Sequence, residues 1–553
     1  MERLLASALG EEPADTVFTG VTLFNPLDCS WEETSFAVTD GLVVGTGDYR
    51  GRETRDLRGA RVVPGLIDGH VHIESSLLVP SEFARAVLPR GTTTVIADPH
   101  EIANVAGTRG IEYFLEEGSR SPLDILFMLP SCVPATPDDP GGATLSATDL
   151  ASFAGRRGVL GLGEMMNVPG VLSGDREVRD KLALFPLRDG HAPGLSGMPL
   201  NAYILSGLQS DHECTSLAEA EEKLRKGMFI MIREGSTERN LRDLVPLVSP
   251  RTAGRCCFAT DDRHADLLAT DGHIDDCIRK AVTLGLDSDL AIRMATLSPC
   301  ERFGLGDRGV IAPGRIADFC VLEKGAEFRV KATWKRGKPA GNIPYRKTEV
   351  LRTPFSCRIP DAGTLRIGGS GEARVIGLVP GQITTREMRF PVDGRDVPDT
   401  GRDILKVVAC DRYGRGNVGV GLVHGFGLGA GAIASSVSHD AHNVIAAGAS
   451  NDAIIMAIRG VVAAGGGMAV ASGKGITLLT LECAGLMSSE PFEKVARSLA
   501  ALGEEVVSLG GIPGAFMHLS FLALPVIPEL RITPRGLFGV TARRPVGLFV
   551  EKP

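Results

Sequence analysis

Between about residues 64 and 300 the chain repeats one texture. A continuous apolar run ends in polar or charged residues and is followed by a helix-like segment. TTTVIADPHE, DILFMLPSCVP, GVLGLGEMMN, GMFIMIREG and RCCFATDD are the clearest cases. Apolar runs without polar alternation are buried on both faces, which is the condition of strands in a parallel sheet covered by helices. Repeated over this length, the pattern predicts a (β/α)8 barrel. In that fold functional side chains gather at the C-terminal ends of strands, where the His, Asp and Glu residues of this stretch fall.

The flanks read differently. TVFTGVTLF, SFAVTD and GLVVGTGD predict a small β-unit over residues 1–62, and GVIAPGRIADFCVLE with FRVKATWKRGK predicts strands over about 305–345 that join it in a sandwich-like domain. The barrel then occupies 63–304. From 350 to 553, strand-like ARVIGLV and ITLLTL with the helical EPFEKVARSLAAL predict a separate C-terminal α/β domain. A chain of 553 residues is long enough for these units.

Composition narrows the function classes. The net charge of −8 is interspersed and no basic run marks a nucleic-acid footprint, so a small-molecule substrate is expected. The eleven cysteines contain no C-x-x-C pair, and the adjacent Cys256 and Cys257 suit no ordinary bridge, which favours a reducing compartment. The first residues lack a signal peptide's apolar core, and no run of about 18 apolar residues offers a bilayer span. A cytoplasmic protein without membrane attachment is expected.

The chemistry centres on PGLIDGHVHIESS. His70 and His72 are two residues apart, so on a strand both imidazoles face one side. Glu164 closes the apolar strand GVLGLGE. His191 lies in the turn DGHAPG, His212 follows a short apolar segment in SDHE, and Asp261 closes RCCFATDD. Taken singly, these are as well explained by loop histidines, a helix-start acid and a helix cap. Taken together, they place His-x-His, Glu, His, His and Asp at successive strand ends. Six such ligands suit two divalent ions with positions left for water. Such ions lower the pKa of a bound water from 15.7 to about 7, giving hydroxide at neutral pH, and Asp261 would be placed to accept and return its proton.

Other residues carry weaker signals. His100 and Glu101 follow the strand TVIADP and are candidates to touch the substrate or the metal site, Glu101 also as an acid toward the ring, or else they stabilise the strand-to-helix turn. Arg233 and Glu234 are candidate substrate contacts too, Glu234 also as an acid toward the ring, though an internal salt bridge explains this pair slightly better. Asp262 and Arg263 read as turn-shaping residues and His273 as a helix cap. His439 and His442, spaced H-x-x-H, are either a second metal site or, by default, part of a structural loop. Gly465–Gly467 reads as a turn because no Lys-Ser/Thr follows. His424 and His518 carry no readable signal. His72-Ile73-Glu74 matches half of the cytidine-deaminase signature, but the only Pro-Cys, Pro299-Cys300, is followed by Glu301-Arg302-Phe303, so the P-C-x-x-C half is missing.

Nearly the whole chain resembles the adenine deaminases of the amidohydrolase superfamily. The motifs are PGLIDGHVHIESS, DPHEIANVAG, LGEMMN, DGHAPGLSG, LNAYILSGLQSDHECT, EKLRKGMFIMIREGS and ATDDR, then IRMATLSPCERFGL and GRIADF, and finally GLVPGQI, RDILKV, GFGL, GAIASSVSHDAHN, PVIPELRIT and RGLF. His-x-His is shared superfamily-wide, whereas LGEMMN with DGHAPG and SDHE is specific to this family. The resemblance implies hydrolysis of adenine to hypoxanthine and ammonia at two metal ions held by His70, His72, Glu164, His191, His212 and Asp261. It implies Mn²⁺ or Fe²⁺ in preference to zinc, catalytic roles for Asp261 and Glu164, and a homo-oligomer, with a dimer favoured. Glu164 stands where dihydroorotase- and hydantoinase-type relatives carry a carboxylated lysine, which argues against cyclic-amide hydrolysis. The competing expectations are an amidohydrolase acting on another aminopurine or a cyclic amide, and a non-catalytic scaffold, which would lack several of the six ligands.

Overall fold

A computed structural model describes residues 1–136, 138–325, 327–393 and 397–550. Its centre is a ring of parallel strands. Leu66–Val71, Thr92–Ala97, Asp124–Leu129, Val159–Met165 and Arg188–Gly190 pair in that order, and Ser210–Asp211, Phe229–Arg233 and Cys256–Ala259 form a second run. Two seams close the ring. Gly190 N donates to Ser210 Oγ at 3.3 Å. At the other seam Asp261 N donates to the His70 carbonyl at 3.0 Å, and His72 N donates to the Asp261 carbonyl at 3.2 Å. The eight strands are thus those of a (β/α)8 barrel.

The all-apolar strands are explained by what covers them. Ile96, Met128, Phe229, Met231, Cys257 and Ala259 form one cluster inside the ring with Phe303 of the helix Leu297–Phe303. Their neighbours Val95, Phe127, Ile230, Ile232, Cys256 and Phe258 belong to the larger core shared with the helices. Alternate residues therefore leave the strand in opposite directions into two buried environments, which is why these runs are apolar on both faces.

The N-terminal strands Ala14–Asn25, Ser30–Thr39, Leu42–Thr46, Gly51–Asp56 and Arg61–Pro64 share one sheet with Phe319–Leu322, Val330–Lys335 and Lys338–Pro339, which follow the barrel. The joining pair is antiparallel, with Cys320 opposite Val63. Phe18, Phe36, Phe319 and Trp334 pack together on this sheet.

The C-terminal region builds a second eight-stranded sheet from strands between Ser370 and Thr480. In its strand Ile404–Cys410, Val408 and Cys410 face the helix Asn451–Ala463. Val407 and Ala409 face the other way, into a core continuous with that of the barrel. Docking is also polar: Phe492 N donates to Glu82 Oε2 at 2.8 Å, and Arg415 reaches the carbonyls of Pro140 and Gly141 at 2.9 and 2.6 Å. Among the described residues no helix is long and apolar enough to cross a membrane.

Candidate active site

Every side chain of the six-ligand expectation is buried at the C-terminal ends of the barrel strands. His70 and His72 come from the end of the first strand, with their Nε2 atoms 3.1 Å apart. His72 Nδ1 meets the Asp98 carbonyl at 3.0 Å. That carbonyl only accepts, so Nδ1 carries the proton and the Nε2 lone pair faces inward.

Glu164 stands between two groups of imidazoles. Its Oε1 lies 3.2 Å from His72 Nε2 and 3.8 Å from His70 Nε2, while its Oε2 lies 2.5 Å from His191 Nδ1 and 3.1 Å from His212 Nε2. Glycine at 163 permits this placement. A Cβ there would sit 2.0 Å from Asp98 Oδ2, the oxygen that accepts from Glu164 N at 3.1 Å. Asp261 Oδ1 lies 3.1 Å from His72 Nε2 and 3.4 Å from His70 Nε2, and its Oδ2 accepts from Arg233 Nη1 at 3.0 Å. Its φ of 53° is left-handed, a conformation Asp adopts more readily than most residues.

The electrostatics suit a cation. Burial raises the Glu164 carboxyl, but the imidazoles of His212 and His191 overcome it and hold the group well below the usual carboxylate range. Burial and the His70 and His72 imidazoles act in the same opposed way on Asp261, which is also held low. Reciprocally, burial lowers His212, yet Glu164 and Asp261 push it up to about 9. Imidazoles drawn toward their charged form by buried carboxylates are positioned so that divalent cations can take the place of those protons. His70, His212 and Asp261 bring ligand atoms within reach of one ion, as do Glu164, His191 and His212. The mixed nitrogen and carboxylate donor set fits first-row divalent metals.

The weaker candidates separate. His100 and Glu101 line the same small cavity, with His100 Nδ1 3.4 Å from Glu164 Oε1. Arg233 also lines it and is clamped by Glu213, Asp261 and Asn240 Oδ1. Glu234 does not line it. Strand alternation turns it outward, and its Oε1 pairs with Lys280 Nζ at 3.0 Å. Two minor expectations are corrected. The His273 side chain does not cap its helix, but bonds Thr92 Oγ1 through Nδ1 at 2.8 Å and approaches Asp68 Oδ2 at 3.1 Å. Asp262 does more than shape a turn: it lines the cavity and accepts from Ser75 Oγ.

Sequence reasoning missed Asp98, Glu213 and Asp440. The strand-end motifs DPHE and SDHE offered a signal for the first two. His439 and His442 belong to a loop that reaches the site. Both imidazoles bond Glu101, one to each carboxylate oxygen, and His439 and Asp440 line the cavity with Ile383, Phe521, Leu524 and Ile527.

Residues 61–343 match the profile of the Amidohydrolase family, so the chain is an amidohydrolase. Residues 382–544 match the Adenine deaminase C-terminal domain. An "Adenine deaminase" of Methanoculleus marisnigri is 62% identical over 93% of this chain and 100% of its own length. Another, of Methanoregula boonei, is 58% identical over 99% and 98%. An "Adenine deaminase 2" of Carboxydothermus hydrogenoformans is 46% identical over 97% of both chains. The chain belongs to the adenine deaminase family.

Proposed function

We propose that this chain hydrolyses adenine to hypoxanthine and ammonia, with two divalent cations held by His70, His72, Glu164, His191, His212 and Asp261. The relatives carry the substrate, and one observation carries the metal centre: Glu164 divides its two oxygens between the His70–His72 pair and the His191–His212 pair. When bound, such a metal pair supplies a water acidic enough to act as nucleophile at neutral pH.

The chain's own residues do the rest. Arg233 engages Asp261 Oδ2 and leaves Oδ1 toward the ligand imidazoles, so Asp261 is oriented to accept the water's proton and deliver it to the leaving amine. Arg233 thereby acts as a positioning residue. His100, on the Glu164 side, is a substrate contact. The apolar wall of Ile383, Phe521, Leu524 and Ile527 supplies the surface a flat purine needs. Manganese or iron rather than zinc is proposed from the family resemblance. A homodimer is proposed as well, supported by the exposed Met198 and Leu205 on one short helix. A cytoplasmic location fits eleven cysteines that are all unpaired.

The test is ammonia release from adenine after reconstitution with Mn²⁺ or Fe²⁺, alongside metal analysis and light scattering. Turnover of adenine with about two metals per chain is expected. Turnover of hydantoin or dihydroorotate without ammonia from adenine would overturn the substrate. Metal-replete cultures yielding protein that binds no metal would overturn the centre.

A further inference from the structure

The cavity has a polar group that the barrel does not supply. His439 is buried, and its ring lies parallel to Phe521 with centroids 4.4 Å apart and planes inclined by 8°. Its Nδ1 bonds Glu101 Oε1. Its Nε2 is buried without any hydrogen-bond partner, in a residue that lines the cavity. A buried nitrogen left unpaired is costly unless something else satisfies it.

The surroundings fix which atom carries the proton. Glu101 Oε2 is taken by His442 Nε2, and His442 Nδ1 accepts from Ser438 N at 3.2 Å. His442 is thus a neutral imidazole donating through Nε2, consistent with burial holding it down at about 4. Glu101 has both oxygens engaged, and His100 Nε2 stands 3.3 Å from one of them. It therefore serves as an anchor for histidines and offers no free acid to a substrate. An Nδ1–H donated to that anchor leaves Nε2 as the end of His439 that faces the cavity, and Nε2 donates there only in the imidazolium, which carries a second proton.

Building on the deaminase reading, we propose that His439 is a substrate-contacting residue, donating its Nε2–H to a ring nitrogen of the purine, and that Glu101, His442 and Phe521 position it. Attack at C6 moves electron density onto the ring nitrogens, so a donor fixed there binds the transition state more tightly than the ground state. The charge balance supports a donor: burial lowers His439, but Glu101, Asp262 and Asp440 raise it to about 9.

The experiment compares adenine turnover and the inhibition constants of 1-, 3- and 7-deazaadenine in the metal-loaded wild type, His439→Gln and Phe521→Leu. The wild type should bind one of the three analogues about tenfold or more weakly than the other two, because that analogue lacks the accepting nitrogen. His439→Gln should lose that discrimination and about 100-fold in kcat/KM, with metal content unchanged and unfolding still cooperative. Phe521→Leu, which removes no polar group, should weaken the same discrimination and serves if His439→Gln does not fold. Equal binding of all three analogues by the wild type, or full discrimination retained in the variants, overturns the inference. A wild type that releases no ammonia from adenine overturns the deaminase reading instead.

Discussion

Lys223 is fully buried and lies outside the cavity, yet it ties together the two loops that carry His191 and His212. Its Nζ donates to the Ala192 carbonyl at 2.6 Å, to Asp211 Oδ2 at 2.9 Å and to Glu219 Oε1 at 2.7 Å. Asp211 Oδ1 in turn accepts from Ala192 N at 2.8 Å. Lys223→Met keeps the length of the side chain and removes its charge, leaving Asp211 buried without its cation. Breaking a buried pair in this way costs about 3–5 kcal/mol, equivalent to lowering the unfolding temperature of a domain this size by on the order of 10 °C.

The pH dependence has a definite sign. Burial raises Asp211, but Lys223 and His212 hold it at about 2 against an ordinary 3.8. That depression is worth about 2 kcal/mol. It is fully present above about pH 4, and is lost as pH falls through the folded value. In the variant burial dominates and the carboxyl protonates more readily. The stability deficit should therefore be largest at neutral pH and shrink on acidification. Thermal unfolding of metal-free protein from pH 8 down to 4 reads the deficit. Competition with a chelator reads the site, where loss of the tie should weaken metal binding about 10- to 100-fold. A variant that unfolds with the wild type at every pH and retains metal equally would refute the argument.

Asp261→Asn removes the proposed proton acceptor while keeping the Arg233 contact geometry, so kcat should fall about 10²- to 10⁴-fold in protein that still unfolds cooperatively. A wild-type kcat would remove Asp261 from that role. Gly163→Ala forces a Cβ against Asp98 Oδ2. It should cost about 1–3 kcal/mol by overpacking and lower turnover by displacing Glu164; unchanged calorimetry would show that Asp98 yields freely.

The ring of strands and its ligand ends were legible where the apolar runs are long. TTTVIA and FIMIR are buried throughout and announce themselves. Arg188–Gly190 and Ser210–Asp211 are three and two residues long, too short for any periodicity, so His191 and His212 were located through motifs instead. Arg233 and Glu234 looked equivalent in the chain because the register of a strand decides which of two neighbours faces the lumen. Lys223 carried no signal at all: a lysine on an amphipathic helix reads as solvent-facing until the two loops it joins are seen together. The contact between Glu101 and His439 spans 338 residues, a separation at which local pattern has nothing to say.

That long-range contact bears on why the C-terminal domain exists. Glu101 is a buried carboxylate close to Asp98, Asp262, Glu164 and Asp440, all buried as well. Metal ions at the six-ligand centre would neutralise charge around Glu164 and Asp261, while Arg233 answers Glu213. Among the described residues of the barrel, none bonds Glu101 as closely as the two imidazoles that the C-terminal domain brings. A barrel without that domain would keep only His100 beside Glu101 and lose the two closer imidazoles. It would also lack the apolar wall of Ile383, Phe521, Leu524 and Ile527. The same docking that satisfies Glu101 therefore closes the cavity with its apolar wall, so the stability of the domain contact and the completeness of the proposed active site are one requirement.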